Sequence, residues 1–189
     1  TLPSLKAHSS IAYLAAGEAP AQNLSIRAGI RALKRKFDSP YFVCVGTIEP
    51  RKNLHNVISA FQKLCAATTE LRMLVVGQQG WSTSAEELLS RGKNIAHRIE
   101  FLGRVPDAEL WELYLGAVCT VFPSLAEGFG LPILESFQCG TPVVTSNNTS
   151  MAEIATKGAL LVHPLSPDDI AEAISKIYYD MSLRSKLAD

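Results

Sequence analysis

"AVCTVFPSLAEGFGLPILE", residues 117–135, decides the fold. The run 117–122 is apolar and partly β-branched, and it closes on Pro123. A loop holding Gly128 and Gly130 follows. Pro132 then opens a helical pattern carried by Ile133, Leu134 and Phe137. A continuous apolar strand, without alternation, is buried on both faces, as in a parallel sheet. Proline at a first helical position costs nothing, because the N–H there has no partner within the helix. The stretch therefore reads as strand, glycine loop and helix, with the loop at the strand's carboxyl end.

The same unit recurs from Tyr41 onward. Its strands are "YFVCVG" (41–46), "LRMLVVG" (71–77), "RIEFLG" (98–103), "AVCTVFP" (117–123), "TPVVTS" (141–146) and "GALLVHP" (158–164). Between them, Leu54, Val57, Ile58, Phe61, Leu64 and Cys65 keep the i, i+3, i+4 spacing of an amphipathic helix. Ile170, Ile174, Ile177, Tyr178 and Met181 form a second stripe. Ser84 with Glu87, and Ser150 with Glu153, read as capping boxes; Ser166 with Pro167 reads as an N-cap before proline. Strands alternating with helices predict an α/β fold, a doubly wound, parallel, six-stranded Rossmann-like sheet over residues 41–189. Ligands of such sheets bind beyond the carboxyl ends of the strands, so the loops after Val45, Val76, Leu102, Phe122, Thr145 and His163 are the ones that matter.

Residues 1–40 stand outside this rhythm and form a linker or edge segment. Ile26, Ile30, Leu33 and Phe37 make a helical stripe, and Arg27, Arg31, Lys34, Arg35 and Lys36 cover much of the rest. Two readings stay open: a solvated helix on the domain edge, or a basic face that meets anionic lipid.

Bulk properties agree with a globular domain. Of 189 residues, 47% are hydrophobic and 19% charged, and 18 basic residues balance 18 acidic ones. Such a balance does not suggest nucleic acid. No apolar run approaches the roughly 18–20 residues that span a bilayer. "IAYLAAG" near the start has polar and charged flanks, unlike a signal peptide. The chain starts at Thr1, which reads as a fragment. Cys44, Cys65, Cys119 and Cys139 show no C-x-x-C spacing, and a reducing, cytoplasmic compartment fits them.

Two strand-end loops carry the chemistry. "GTIEPRKNL", 46–54, is neither G-x-G-x-x-G nor a Walker loop. It offers Arg51 and Lys52 at a predicted helix start, where backbone N–H groups also point out. One reading is a diphosphate site; the other is two solvated cations, which at that end of a helix need a counter-charge. In the second loop, Gly128 and Gly130 allow close approach of a ligand or positive φ. The N–H groups of Phe129, Gly130 and Leu131 face whatever lies over the helix start. Glu127 precedes the glycines, beside the reacting end of a ligand. Glu135 falls in the first turn, placed to accept hydrogen bonds from a diol such as ribose, or to complement the helix dipole. Paired acids also fit a glycosidase, but the neighbouring cations favour a phosphate.

At these residues the sequence resembles the carboxyl-terminal, donor-binding domain of family 4, or group 1, retaining glycosyltransferases of GT-B fold. "VGTIEPRKNL", "LVVGQQGW", "IEFLGRVPDAEL", "FPSLAEGFGLPILESFQCGTPVVTSN" and "GALLVHPLSPDDIAEAI" carry it, in order, over about 41–177. The resemblance implies one of two Rossmann-like halves, with the amino-terminal acceptor domain absent. It implies a nucleotide-sugar donor and no metal or other cofactor. Arg51 and Lys52 fall where the family neutralises the diphosphate. Glu127, with Gly128, Phe129, Gly130 and Leu131, falls where it contacts sugar and β-phosphate. Glu135 falls at the ribose, and Gly103, Arg104 and Val105 at the base. Thr47 stands where many members have arginine, which points to a subgroup rich in mannosyltransferases of surface polysaccharides. GDP-mannose is then the expected donor, a glycan or lipid-linked molecule the acceptor, and Glu127 a positioner rather than a nucleophile. The fragment alone is expected to bind donor without transferring sugar. A non-catalytic nucleotide-sugar binding module and a sugar-nucleotide epimerase are the alternatives; the missing glycine fingerprint speaks against a dehydrogenase.

Overall fold

The computed structural model describes residues 38–155 and 157–188. The basic stripe expected over 26–37 lies outside them. Six strands form one sheet: β1 (Tyr41–Val45), β2 (Arg72–Val76), β3 (Ile99–Gly103), β4 (Thr120–Phe122), β5 (Val143–Ser146) and β6 (Ala159–Val162). Every pairing is parallel, and the spatial order is β3-β2-β1-β4-β5-β6. The helices between them are α1 (Leu54–Cys65), α2 (Ala85–Arg91), α3 (Asp107–Gly116), α4 (Leu131–Gln138), α5 (Thr149–Ile154) and α6 (Pro167–Tyr179); α7 (Met181–Ala188) ends the chain.

Burial on both faces explains the unbroken apolar strands. Phe42 and Cys44 point into the layer of α1, α2 and α6, with Val57, Phe61, Ile170 and Ile174. Tyr41 and Val43 point the other way, toward Leu113 and Tyr114 of α3. Phe122 and Val143 continue that second layer with Ile133, Met151 and Ile154. Phe42 and Phe61 meet edge to face, with centroids 5.2 Å apart. Each fully buried large side chain of this kind contributes roughly 1.5–3 kcal/mol.

The stripe of α1 is buried as its spacing predicts, from Leu54 through Leu64, with Cys65 only half-buried. Three predicted helix ends move. α4 begins at Leu131, so Pro132 is its second residue rather than its first. α6 stops at Tyr179, and Met181 is 59% exposed rather than in its stripe. There Asp180 turns the chain and accepts the N–H of Leu183, capping α7. Ser150 caps nothing: Asn148 precedes α5, and Ser150 lies inside it. The caps at Ser84 and Ser166 form as predicted, accepting the N–H groups of Glu87 and Asp169.

The strand order reverses between β1 and β4. That switch point opens a crevice at the carboxyl edge of the sheet. The loops flanking it are 46–53, after β1, and 123–130, after β4.

Candidate functional site

Lys52 is shaped into place by its own loop. Gly46, at φ +139, leaves room for it; a Cβ there would come within 2.9 Å of the lysine Cε. The ammonium sits 4.7 Å from the centroid of Phe122, at the end of β4. Pro50, Arg51 and Lys52 form a single 3-10 turn, and α1 starts only after Asn53. The two cations therefore stand in the last turn of a short helix, not at the start of a long one as predicted. The counter-charge that the sequence left open is Glu127. Lys52 Nζ lies 2.7 Å from its Oε1, and Arg51 Nη1 donates to its Oε2.

Glu127 is the centre of this arrangement, its side chain only 8% exposed. Burial pushes its pKa up, but the Lys52 hydrogen bond and charge, with smaller help from Ser124 and Arg51, hold the carboxyl below its usual range. Ser124 is fully buried beside it, though its hydroxyl has no partner of good hydrogen-bond geometry. The loop is fastened from three sides. Leu125 N–H donates to Arg51 O at 2.8 Å. The Ser150 hydroxyl donates to Glu127 O at 3.0 Å. Asn148 Nδ2 donates to Leu125 O at 3.3 Å. Ser150, expected as a cap, is thus a tether for the acidic loop.

The glycines divide their roles. Gly130 takes φ +102 and leads into α4, where a side chain would press on Ile154 at 3.0 Å. Gly128 has no positive φ, and a Cβ there would meet nothing within 4 Å. Phe129 packs partly against the Ile133 and Met151 cluster, and Leu131 is exposed at the helix start.

The other predicted residues lie further along the same edge. Glu135 is the fifth residue of α4, one turn inside it, and its Oε2 accepts the hydroxyl of Tyr114 at 2.8 Å. It is therefore not in the first turn, and a tyrosine already holds it. Gly103, at φ +67, ends β3, which pairs with β2 rather than β1. At about 4.8 Å per strand, that puts Gly103, Arg104 and Val105 roughly 10 Å from the end of β1. Arg104 is exposed, and Val105 packs against the Leu113 cluster. Thr47 leans the other way: its Cγ2 lies over Gly80, where a Cβ would come within 2.7 Å of it. Among the described residues, no group of three or more His, Cys, Asp and Glu is placed to hold a metal ion.

The family model for glycosyl transferases group 1 matches residues 26–189. The chain belongs to that family. Among curated relatives, O-antigen chain mannosyltransferase B of Escherichia coli is 40% identical over 147 residues, 76% of this chain and 38% of its own. The chain thus spans about two fifths of that relative's length. Two solved structures share the fold. The C-terminal domain of a group 1 glycosyl transferase from Francisella tularensis superposes with TM-score 0.72 at 23% identity, covering 90% of this chain and 89% of that one. WaaG, a glycosyltransferase involved in lipopolysaccharide biosynthesis, gives TM-score 0.77 at 21% identity, over 90% of this chain and 46% of its own. The sheet is therefore one Rossmann-like half of a GT-B fold.

Two residues of this group 1 domain escaped the sequence reading. Asn53 is fully buried in the left-handed region, at φ 61. Its amide donates to Pro123 O at 2.9 Å and to Pro164 O at 2.6 Å, pinning three strand-end loops together. Asparagine is enriched at positive φ, so its place after Arg51 and Lys52 was a readable signal. Trp81 is the other, an exposed aromatic in a turn-rich loop.

Proposed function

We propose that this chain is the nucleotide-sugar donor-binding half of a retaining hexosyltransferase, and that the complete protein moves mannose from GDP-mannose to a glycan or lipid-linked acceptor. The observation that carries this reading is the meeting of Arg51, Lys52 and the buried Glu127 at the switch point between β1 and β4. A donor diphosphate enters there, over the glycine loop and the start of α4, and shares the two cations with Glu127. Their charge stabilises the departing diphosphate, the task a divalent metal performs elsewhere, so no metal is required. Both Glu127 oxygens are engaged by cations, which suits a group that orients charge better than a nucleophile. Glu135 takes the ribose, and Gly103, Arg104 and Val105 border the base. Mannose is favoured by the likeness to the mannosyltransferase of Escherichia coli. The amino-terminal half that receives the acceptor belongs to the complete protein. Four free thiols suit the cytoplasm, and a lipid-linked acceptor would bring the protein to the membrane's inner face.

Calorimetric titration of this chain with GDP, UDP and ADP tests the reading. GDP is expected to bind tightest. The Arg51→Ala, Lys52→Ala double variant is expected to lose binding, because each charged hydrogen bond lost costs about 1.5–3 kcal/mol. Unchanged GDP affinity in that variant would remove the diphosphate from these residues.

A further inference from the structure

Arg51 does not face Glu127 alone. On its other side the Nε lies 2.5 Å from Oε1 of Glu49, whose side chain is only 10% exposed. That oxygen is shielded from solvent, and the contact is an ion pair rather than an aligned hydrogen bond. The second oxygen of Glu49 accepts the indole N–H of Trp81 at 3.1 Å. Trp81 is itself 64% exposed at the carboxyl edge of the sheet.

The backbone builds this juxtaposition. Beyond the ends of β1 and β2 their two loops stay zipped together. Gly46 N donates to Val76 O at 2.9 Å, Ile48 N to Gln78 O at 2.9 Å, and Gly80 N to Ile48 O at 3.0 Å. The approach is closer than side chains permit: a Cβ on Gly77 would fall 1.9 Å from Gly46 O, and one on Gly80 would fall 2.7 Å from Ile48 O. Glu49 and Trp81 each follow directly on this ladder, so their register is fixed. Chemistry then fixes the residue type. The guanidinium charge beside one oxygen and the indole N–H on the other suit a group that is anionic and only accepts. A glutamine offers one oxygen and one NH2, and must break one of the two contacts.

We infer that Glu49 is a positioning residue for Arg51 in donor binding, and that Trp81 locks it. This rests on the reading of Arg51 and Lys52 as the diphosphate site. Arg51 is 45% exposed and has many rotamers to lose. Without Glu49 its guanidinium collapses onto Glu127, the group a diphosphate has to share it with. Held between the two carboxylates, it keeps a fixed direction as the phosphate arrives. Pure charge acts in the opposite sense, since removing an anion near a phosphate site raises affinity. The sign of the effect therefore separates positioning from simple electrostatics.

The test is a double-mutant cycle on this chain, with GDP binding read by calorimetry and folding by thermal midpoint. Glu49→Gln is expected to weaken GDP about tenfold, one charged contact's worth. Trp81→Phe, at an exposed position that tolerates change, is expected to weaken GDP about threefold. The double variant is expected to bind as Glu49→Gln alone does, because Trp81 acts through Glu49. Equal or tighter GDP binding by Glu49→Gln, while the Arg51→Ala, Lys52→Ala variant fails to bind, overturns the inference and keeps the diphosphate site. Undiminished binding by that arginine–lysine variant overturns the underlying reading instead. If Glu49→Gln does not fold, Trp81→Phe decides, and wild-type affinity there overturns the inference.

Discussion

Tyr114, on α3, donates its hydroxyl to Glu135 of α4 at 2.8 Å. The tyrosine is fully buried, and burial followed by the Glu135 charge raises its pKa well above the ordinary value, so it stays a donor. Glu135, the second of the two acids that flank the glycine loop, is thus held by a neighbouring helix. Tyr114→Phe keeps the packing and removes the orientation. It is expected to cost about 1 kcal/mol of stability. It is also expected to weaken GDP several-fold while leaving inorganic pyrophosphate unaffected, since only the nucleotide carries a ribose. Paired calorimetric titrations check this; an equal loss for both ligands would remove Glu135 from ribose binding.

Asn53 predicts a larger effect on stability than on chemistry. Its side chain joins Pro123 and Pro164 carbonyls, accepts from Asn56 at 2.7 Å, and tolerates φ 61. Asn53→Ala loses these bonds and meets the steric penalty of the left-handed region, an expected loss of about 3 kcal/mol. Asn53→Gly escapes the steric part and is expected to lie between alanine and the wild type. Denaturant unfolding of the three proteins orders them.

What the sequence made legible, and what it hid, follows the range of the interactions. Strand runs such as 71–77 and the stripe from Leu54 to Leu64 are local periodic signals, and both are present in the fold. The glycine loop between Glu127 and α4 was equally local. The partners of the charged residues were not. Arg51 and Glu127 are 76 residues apart in the chain, and Tyr114 and Glu135 are 21 apart. No periodicity reports such pairs, so the counter-charge for Arg51 and Lys52 stayed open until the strand order placed β4 beside β1. Ser150 shows the same limit: its spacing to Glu153 fitted a cap, but a carbonyl 23 residues away claims its hydroxyl.

Glu127 gives a pH prediction with a definite sign. Its folded pKa is lowered, so its stabilisation is present above the unfolded value, near 4.3, and is lost as pH falls through the folded value. Burial alone would raise the pKa; Lys52 first, then Ser124 and Arg51, reverse that. The stability gap between wild type and Glu127→Gln is therefore expected to be widest at neutral pH and to narrow steadily below about pH 4.3. Unfolding midpoints measured from neutral to acid pH check the closing of the gap. A gap that is constant with pH would mean that Glu127 keeps no ionic advantage in the folded state.

Thr149 sits at φ 53, the first residue of α5 and next to the Ser150 that tethers Glu127. A β-branched side chain there is strained by roughly 1–2 kcal/mol. The side chain is exposed, so burial does not repay the strain. Strain of this kind persists where the surroundings over-determine the backbone, and it gathers at ligand edges. Thr149→Gly is expected to relieve it and to raise the thermal midpoint by about 2–4 °C, the shift that 1 kcal/mol produces in a chain of this size. The same substitution would also loosen the helix start that carries Ser150, so GDP affinity is expected to fall as stability rises. A variant that gains stability and keeps full affinity would show that the strain at this turn serves the fold alone.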